Sequence, residues 1–183
     1  MSQLFVFHRD QPMQAIKLLN HAEDICRTLT QLGIDLEHWE IDSSLTAESS
    51  HEEILAAYAA DIARVQQRSG FTEVDVMSVA ESHPEKDVLR KQERVEHQHS
   101  EDEVRFFVSG RGIFYMQLDE HVYGVLCEKG SMLSIPAGTK HWFDMGERPR
   151  FTLLRLYTSA KALASELTGS DIAEVYLPLD DLV

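Results

Sequence analysis

Three residues near the middle of the chain, His97, His99 and Glu103, have side chains and a spacing that suit a metal ion. On a β-strand successive side chains alternate between faces, so the two histidines and, if the strand continues, the glutamate share one face. On a helix, residues two apart lie about 200° around the axis, and the histidines could not meet at one centre. The spacing therefore predicts a metal site built on a strand.

A fourth candidate ligand, His141, follows a turn-rich segment that contains Pro136 and Gly138. A histidine after a turn is by itself more often a surface residue. Its distance from the first cluster spans several antiparallel strands, however, so the fold can bring it back to His97, His99 and Glu103. We therefore expect it to complete the ligand set.

Neutral imidazole nitrogens and carboxylate oxygens suit divalent iron, nickel, copper, zinc or manganese. Three histidines and one glutamate fill four positions of an octahedron and leave two open, whereas a structural zinc site is closed, tetrahedral and often contains cysteine. Neither Cys26 nor Cys127 lies near the cluster in sequence. The four ligands leave a charge of about +1 on a divalent ion, so an anionic, chelating oxygen ligand is the expected guest.

Composition narrows the function classes further. The 183 residues suit one domain. The net charge of −14, from 17 basic and 31 acidic residues, argues against a nucleic-acid partner, which needs a dense basic face. No apolar run approaches the roughly 20 residues of a membrane span, and the first residues do not resemble a signal peptide. Two cysteines outside any CxxC pattern indicate free thiols in a reducing cytoplasm.

The elements around the site divide into three parts of one domain. Residues 1–93 are predicted to mix helices and strands that pack on a barrel, residues 94–158 to form the metal-binding barrel, and residues 159–183 to form a C-terminal tail. Helices are expected at 13–32 (as one helix or two), 50–68 and 160–167, with a short polar helix or loop at 85–93. The strands expected before the barrel are 4–7, 34–41 and 71–80.

Short strands at even intervals characterise the central part. They are expected at 94–99, 104–108, 112–118, 122–127, 131–135, 141–145 and 151–157, with glycine and proline at the turns between them. Such a pattern indicates a sandwich or barrel, and closure removes exposed sheet edges. The predicted class is mainly β with peripheral helices (α+β). We expect a monomer, because no long apolar stripe is left unassigned.

The ligand segments resemble a known superfamily. The patterns His97-x-His99-x3-Glu103-x6-Gly110 and Gly130-x5-Pro136-x-Gly138-x2-His141 are similar to the two cupin motifs. This resemblance implies a double-stranded β-helix (jelly-roll) barrel with a metal inside. The chain departs from the motifs at Lys91 and Met145, where glycine and asparagine are frequent, and neither position is a ligand.

A narrower resemblance concerns residues 96–106, the Gly110-Arg111-Gly112 turn and residues 136–143, which are similar to the acireductone dioxygenase family. It implies O2-dependent cleavage of the acireductone 1,2-dihydroxy-3-keto-5-methylthiopentene in methionine salvage, with one Fe2+ or Ni2+ per chain. In that family the iron form gives formate and 4-methylthio-2-oxobutanoate. The nickel form gives formate, carbon monoxide and 3-(methylthio)propanoate.

Five further residues are candidates for the surroundings of the metal. Arg105 lies two residues after Glu103, so on a strand it faces the same interior, where a permanent cation would stabilise an ionised substrate. Glu96 and Asp102 flank the ligands, with side chains expected on the opposite face of the strand. They could orient the ligands or assist metal incorporation, or they could simply face solvent. Phe143 has the same strand parity as His141, so it is expected either to form the wall of the pocket or to belong to the core. Arg155 would need a partner if buried, and the substrate or Glu103 is the candidate.

Two other functions fit the same barrel. One is a different cupin enzyme, such as a sugar isomerase or another dioxygenase, because one fold hosts many chemistries. The sequence of residues 96–105 disfavours the isomerase. The other is a ligand-binding cupin without catalysis, such as a storage or sensor protein. A regulator would be expected to carry a basic DNA-binding helix pair, and the acidic N-terminal part offers none.

Overall fold

Two antiparallel sheets make up most of the structure, a computed structural model that describes residues 2–46, 49–161 and 163–182. The strands are β1 Gln3–His8, β2 Ala15–Leu19, β3 Asp35–His38, β4 Glu73–Val79, β5 His97–Gln98, β6 Glu103–Ser109, β7 Arg111–Leu118, β8 His121–Glu128, β9 Ser131–Ile135, β10 Lys140–Asp144, β11 Phe151–Tyr157 and β12 Glu166–Leu167. The helices are α1 Ala22–Thr30, α2 His51–Ala57, α3 Ala59–Ser69, α4 Lys86–Glu93 and α5 Leu179–Leu182, with a 3-10 turn at Ile172–Val175.

The strand order places the ligand segments on facing sheets. One sheet has the order β12-β5-β10-β7-β8-β1-β2, and the other has the order β3-β9-β6-β11-β4. Strands from all three predicted parts of the chain therefore share the two sheets. Apolar side chains from both fill the space between them, among them Phe107, Phe114, Val125, Leu133 and Leu153. Strands β5 and β10 carry His97 and His141 in the first sheet, and β6 carries Glu103 in the second.

Alternation along β6 shows how one strand serves two cores. Phe107 faces the interior between the sheets, and Glu103 and Arg105 have the same parity. Val104 and Phe106 face outward, where they pack with Ile54 of α2 and other apolar side chains. Both faces of β6 are thus buried, which fixes its register.

The helices lie outside the sheets, as predicted. Helices α2 and α3 cover the outer face of the five-stranded sheet, and the C-terminal segment from Ala173 to Leu179 packs on Tyr115 and Trp142 of the seven-stranded sheet. Ser50 and Glu53 form the predicted capping box at the start of α2. Among the described residues, no helix is long and apolar enough to cross a membrane.

Three predicted helices need correction. Within the helix expected at 13–32, residues 15–19 form β2 instead, because the edge of β1 offers backbone hydrogen bonds that pair Leu4 with Leu19 and Val6 with Lys17. The expected break near Asn20 does occur, and α1 begins at Ala22. Side-chain periodicity alone carries no information about an unpaired strand edge.

The helix expected at 50–68 is interrupted at Tyr58, whose φ of −101° and ψ of 15° are not helical. The Tyr58 ring packs edge-on against Phe106 with centroids 4.8 Å apart, and the Asp42 N–H donates to its hydroxyl. Tertiary packing therefore divides this segment into α2 and α3.

The helix expected at 160–167 is absent from the described part of that range, and Ala162 lies outside the described residues. Glu166 and Leu167 instead form β12, which pairs with Gln98 and His97 of β5. Strand β5 is only two residues long, shorter than the predicted 94–99, and without β12 it would be an open edge beside the metal ligands.

Candidate metal centre

Adjacent strands bring His97 and His141 together. His97 in β5 is the register partner of His141 in β10, and the two imidazole centroids are 4.5 Å apart. His99 follows β5, and its carbonyl accepts a hydrogen bond from the Gly138 N–H, which ties the two ligand segments together. Its ring lies 5.2 Å from that of His97 and 5.4 Å from that of His141. The three predicted histidines therefore converge.

Glu103 approaches the histidines from the opposite sheet, as the first residue of β6. Its Oε1 is 3.0 Å from His141 Nε2, and its Oε2 is 3.5 Å from His99 Nε2. All four side chains are buried. The Glu103 carboxylate thus lies beside the histidines, as strand parity predicted.

Backbone carbonyls fix the orientation of each imidazole ring. The Nδ1 atoms of His97, His99 and His141 hydrogen-bond to the carbonyls of Val95, Ala164 and Thr139, at 2.7, 3.3 and 2.7 Å. A carbonyl only accepts, so each Nδ1 carries the proton and each Nε2 presents a lone pair. One nitrogen from each ring lies within 4.8 Å of the corresponding atom of the other two.

Buried atoms without hydrogen-bond partners point to the same centre. Among the described residues, His99 Nε2 and both Glu103 carboxylate oxygens are buried and lack a partner in hydrogen-bond geometry. A buried polar atom without a partner costs free energy, unless a ligand satisfies it. The donor set of three imidazole nitrogens and one carboxylate fits a divalent first-row metal, and no cysteine is part of it.

The electrostatics favour the protonation states that bind metal. Burial, together with the neighbouring His141, lowers the pKa of His97 to about 4. Burial also lowers the pKa of His99. Burial would raise the pKa of Glu103, but Arg105 and His141 outweigh it and hold that pKa well below its usual range. Neutral imidazoles and an ionised carboxylate are the forms that coordinate a cation.

His141 differs from the other two histidines. Burial lowers its pKa, but the adjacent Glu103 carboxylate and the hydrogen bond to the Thr139 carbonyl together raise it by a larger amount. A proton on His141 Nε2 and a metal ion would occupy the same position beside Glu103. Metal binding at this residue therefore competes with a proton.

Arg105 lies where its parity predicted. Its Nη2 is 2.6 Å from Glu103 Oε2, and its side chain is 11% exposed. The guanidinium is therefore held at the edge of the cluster, on the interior face of the five-stranded sheet.

The two flanking carboxylates have different surroundings. Glu96 is buried, and its Oε2 accepts a hydrogen bond of 2.5 Å from the Thr168 hydroxyl. Asp102 is exposed, and its Oδ1 accepts from the Ala137 N–H at 2.8 Å. Each thus ties a ligand segment to another part of the chain, β5 to the C-terminal segment and the start of β6 to the turn before His141.

Phe143 and Arg155 also face the interior. Phe143 stacks on Phe114 with centroids 4.5 Å apart and belongs to the apolar core. Of the two predicted partners of Arg155, Glu103 is wrong: the Arg155 guanidinium makes a two-point ion pair with Asp75, Nε to Oδ1 at 2.7 Å and Nη2 to Oδ2 at 2.6 Å. Asp75 is its register partner on β4, a pairing that only the sheet topology reveals.

Sequence reasoning missed several groups that build the site. The carbonyls of Val95, Thr139 and Ala164 orient the rings, and a main-chain acceptor leaves no signal in the residue types. Thr168 and Asp75 were missed because their partners lie 72 and 80 residues away. The tight turn at Gly138 was the one available signal for the carbonyl of Thr139.

Comparison with known proteins gives consistent results. The model of the ARD/ARD′ family matches residues 5–163. An acireductone dioxygenase from Pseudomonas paraeruginosa is 49% identical over 181 residues, covering 99% of this chain and 100% of that protein. One from Stutzerimonas stutzeri is 46% identical over the same length. The solved structure of acireductone dioxygenase from Bacillus anthracis with a cadmium ion in its active centre has a TM-score of 0.79 and 28% identity, and covers 91% of this chain and 98% of that one.

These similarities and the geometry agree on architecture and on metal binding. The two-sheet arrangement is of the cupin type, as the resemblance implied. His97, His99 and His141 form a metal-binding site.

Proposed function

Because this chain belongs to the ARD/ARD′ family, we propose that it cleaves an acireductone with O2 at the centre formed by His97, His99 and His141. The chain is a dioxygenase of the acireductone dioxygenase type. The observation that carries the location of the reaction is the convergence of three ring nitrogens, two of which face the buried Glu103 carboxylate, with Arg105 beside that carboxylate. The substrate we assign is 1,2-dihydroxy-3-keto-5-methylthiopentene, and the reaction belongs to methionine salvage.

One divalent ion per chain, Fe2+ or Ni2+, is proposed to be held by His97, His99, His141 and Glu103. The buried His99 Nε2 atom, which lacks a hydrogen-bond partner, and the Glu103 carboxylate beside His141 support this ligand set. When bound, the ion supplies Lewis acidity and a template that fixes which substrate carbons meet O2. Both metals accept nitrogen and oxygen ligands, so the site is proposed to work with either and to give different products. The iron form gives formate and 4-methylthio-2-oxobutanoate, and the nickel form gives formate, carbon monoxide and 3-(methylthio)propanoate.

The side chains around the ion have complementary proposed roles. Arg105 stabilises the ionised enediol, because its guanidinium is a permanent cation on the interior face. Phe143 forms an apolar wall of the substrate site and excludes water from it. Glu96 and Asp102 hold the ligand segments, which their hydrogen bonds to Thr168 and to the Ala137 N–H support. Each of these roles concerns binding and orientation rather than electron transfer.

The setting of the reaction is proposed on separate grounds. Cys26 and Cys127 are both free thiols, which supports a reducing compartment, the cytoplasm. A monomer is proposed because the site is built from residues of one chain.

The decisive experiment combines metal analysis with identification of products. Metal-free protein, reconstituted separately with Fe2+ and Ni2+, is mixed with the acireductone while O2 uptake and the ultraviolet band of the substrate are followed. Carbon monoxide should form only in the nickel sample, and the 2-oxo acid only in the iron sample. Substrate loss no faster than the uncatalysed background in both samples would remove the assignment. Identical products from both metals would refute only the proposal that the products depend on the metal.

A further inference from the structure

A row of charged side chains crosses the interior face of the five-stranded sheet. Arg105 on β6 and Arg155 on β11 are register partners, and Arg155 is in turn the register partner of Asp75 on β4. Register partners in an antiparallel pair point to the same face, with their Cβ atoms about 5 Å apart. Arg155 is therefore the residue next to Arg105 on the face of the sheet that carries Glu103.

Each arginine has its own carboxylate partner. Arg105 pairs with Glu103, and Arg155 pairs with Asp75. The exposed fraction of the side chains rises in order from Glu103 at 4% through Arg105 at 11% and Arg155 at 25% to Asp75 at 36%. The row therefore leads from the buried Glu103 carboxylate to the partly exposed Asp75.

Holding β4 against β11 does not require this ion pair. The two strands are joined by seven register pairs, and the neighbouring interior pairs, Leu153 with Met77 and Phe151 with Val79, are apolar. A partly buried ion pair contributes little more than apolar side chains of similar size, because both ions lose hydration. Packing of the two strands therefore does not explain why the charged pair Arg155–Asp75 occurs at the position beside Arg105.

Charge balance indicates what the row would bind. Without a metal, Glu103, Arg105, Arg155 and Asp75 sum to zero. A divalent cation held by neutral imidazoles would raise the local charge to about +2, which a doubly ionised enediol would neutralise. Because Asp75 occupies Nε and Nη2 of Arg155, the guanidinium has a fixed direction and keeps Nη1 for another acceptor.

We propose that Arg155 is a second substrate-binding arginine, which contacts the ionised acireductone beside Arg105, and that Asp75 is the positioning residue that orients it. This inference rests on the proposed function and adds a determinant of substrate affinity that lies outside the metal ligands. Arg155 acts when the anion is bound, so its loss should change binding more than the rate of the bound complex.

The test uses nickel-loaded protein in the variants Arg155→Met, Arg155→Lys and Asp75→Asn. Two anions are titrated without O2: the acireductone, followed by its ultraviolet band, and oxalate, followed by calorimetry. For both anions the Kd should rise about tenfold in Arg155→Met and about threefold in the other two variants, because a charge-assisted hydrogen bond is lost outright or only misaligned. Metal content should stay at one ion per chain, and kcat should change less than KM.

The matched control is Arg64→Met. Arg64 also makes an ion pair with an aspartate, Asp61, but it lies on α3 outside the barrel. Its removal should leave both Kd values unchanged. Wild-type Kd values in Arg155→Met would overturn the proposal. If Arg155→Met does not fold, wild-type Kd values in both Arg155→Lys and Asp75→Asn would do the same.

The two probes separate this proposal from the proposed function. A wild-type protein that binds oxalate but neither binds nor consumes the acireductone would refute the substrate assignment. The oxalate affinities of the variants would still decide the role of Arg155.

Discussion

The Arg105 guanidinium Nη2 atom lies 2.6 Å from the Glu103 Oε2 atom, although the two residues are only two positions apart on β6. Strand alternation places them on one face, and although burial would raise the pKa of Glu103, Arg105 and His141 hold that pKa well below its usual range. One short segment of strand therefore supplies both a carboxylate aimed at the metal position and a cation next to it. The first can hold a metal, and the second can act on whatever anion the metal binds.

Replacing Arg105 should separate these two tasks. We expect Arg105→Met to retain one metal ion per chain but to lose about a hundredfold in turnover, the usual effect of removing one preorganised donor from a developing oxyanion. Arg105→Lys keeps the charge without the planar group, and we expect intermediate turnover. Metal analysis and initial rates of O2 uptake on the same samples would measure both effects. Wild-type turnover in Arg105→Met would reduce Arg105 to a structural ion pair.

Removing a histidine ligand should empty the site. His97→Ala or His141→Ala deletes one of the three converging ring nitrogens, so metal content should fall well below one ion per chain after dialysis. The comparison is His121→Ala, because His121 and His8 also form a cross-strand histidine pair, with centroids 5.7 Å apart, but contribute to no cluster of three ligands in the described chain. His121→Ala should keep its metal. Full occupancy in His97→Ala would exclude that residue as a ligand.

Local periodicity was sufficient to predict that His97, His99, Glu103 and Arg105 share one face of the chain. The i, i+2 spacing of His97 and His99 and the parity of Glu103 and Arg105 follow from alternation along an extended chain, and the structure brings these residues together. His99 nevertheless lies just beyond β5, held by a backbone hydrogen bond from Gly138 rather than by a strand ladder. The strand expected over residues 94–99 was therefore too long, because an extended segment need not have a partner along its whole length.

Information about strand pairing was missing from the sequence. The partner of Arg155 depends on the register between β4 and β11, whose residues Asp75 and Arg155 are 80 positions apart. The same is true of β12, whose pairing with β5 replaced a helix that side-chain propensity favoured. Non-local pairing decides such elements, and short-range patterns carry no record of it.

The buried carboxylate of Asp144 should make a large contribution to stability. Arg90 binds both of its oxygens, at 2.8 and 3.3 Å, and the Leu179 N–H donates to it at 2.9 Å, which joins α4, β10 and the C-terminal segment. Asp144→Asn leaves Arg90 without its main partner, so the free energy of unfolding at pH 7 should fall by about 3 kcal/mol. Urea titrations of metal-free protein would measure the difference. The control Asp87→Asn removes an exposed partner of Lys86 and should cost less than about 0.5 kcal/mol.

The contribution of Asp144 should also depend on pH. Burial raises its pKa, but the hydrogen bonds from Arg90 and the Leu179 N–H, together with the charges of Arg90 and Arg94, outweigh burial and lower the pKa below the ordinary value of 3.8. A depressed pKa means that the stabilisation is complete above pH about 4 and is lost as pH falls further through the folded-state pKa. The difference between wild type and Asp144→Asn should therefore be constant from pH 7 to 5 and shrink below pH 4. A difference that grows below pH 4 would contradict this sign.

Two glycines in the same backbone conformation should tolerate alanine very differently. Gly33 and Gly110 have φ angles of +76° and +75°, so alanine at either position costs about 1–2 kcal/mol from the left-handed conformation alone. A Cβ at Gly33 would have no heavy atom within 4 Å, whereas at Gly110 it would lie 1.9 Å from the Arg150 carbonyl oxygen, a backbone atom that cannot turn away. Gly33→Ala should therefore show only the conformational cost, and Gly110→Ala should lose about 3 kcal/mol or more because the β10–β11 connection must also move. Urea unfolding of the two variants side by side measures the difference, and equal losses would mean that this connection yields more easily than a packed backbone should.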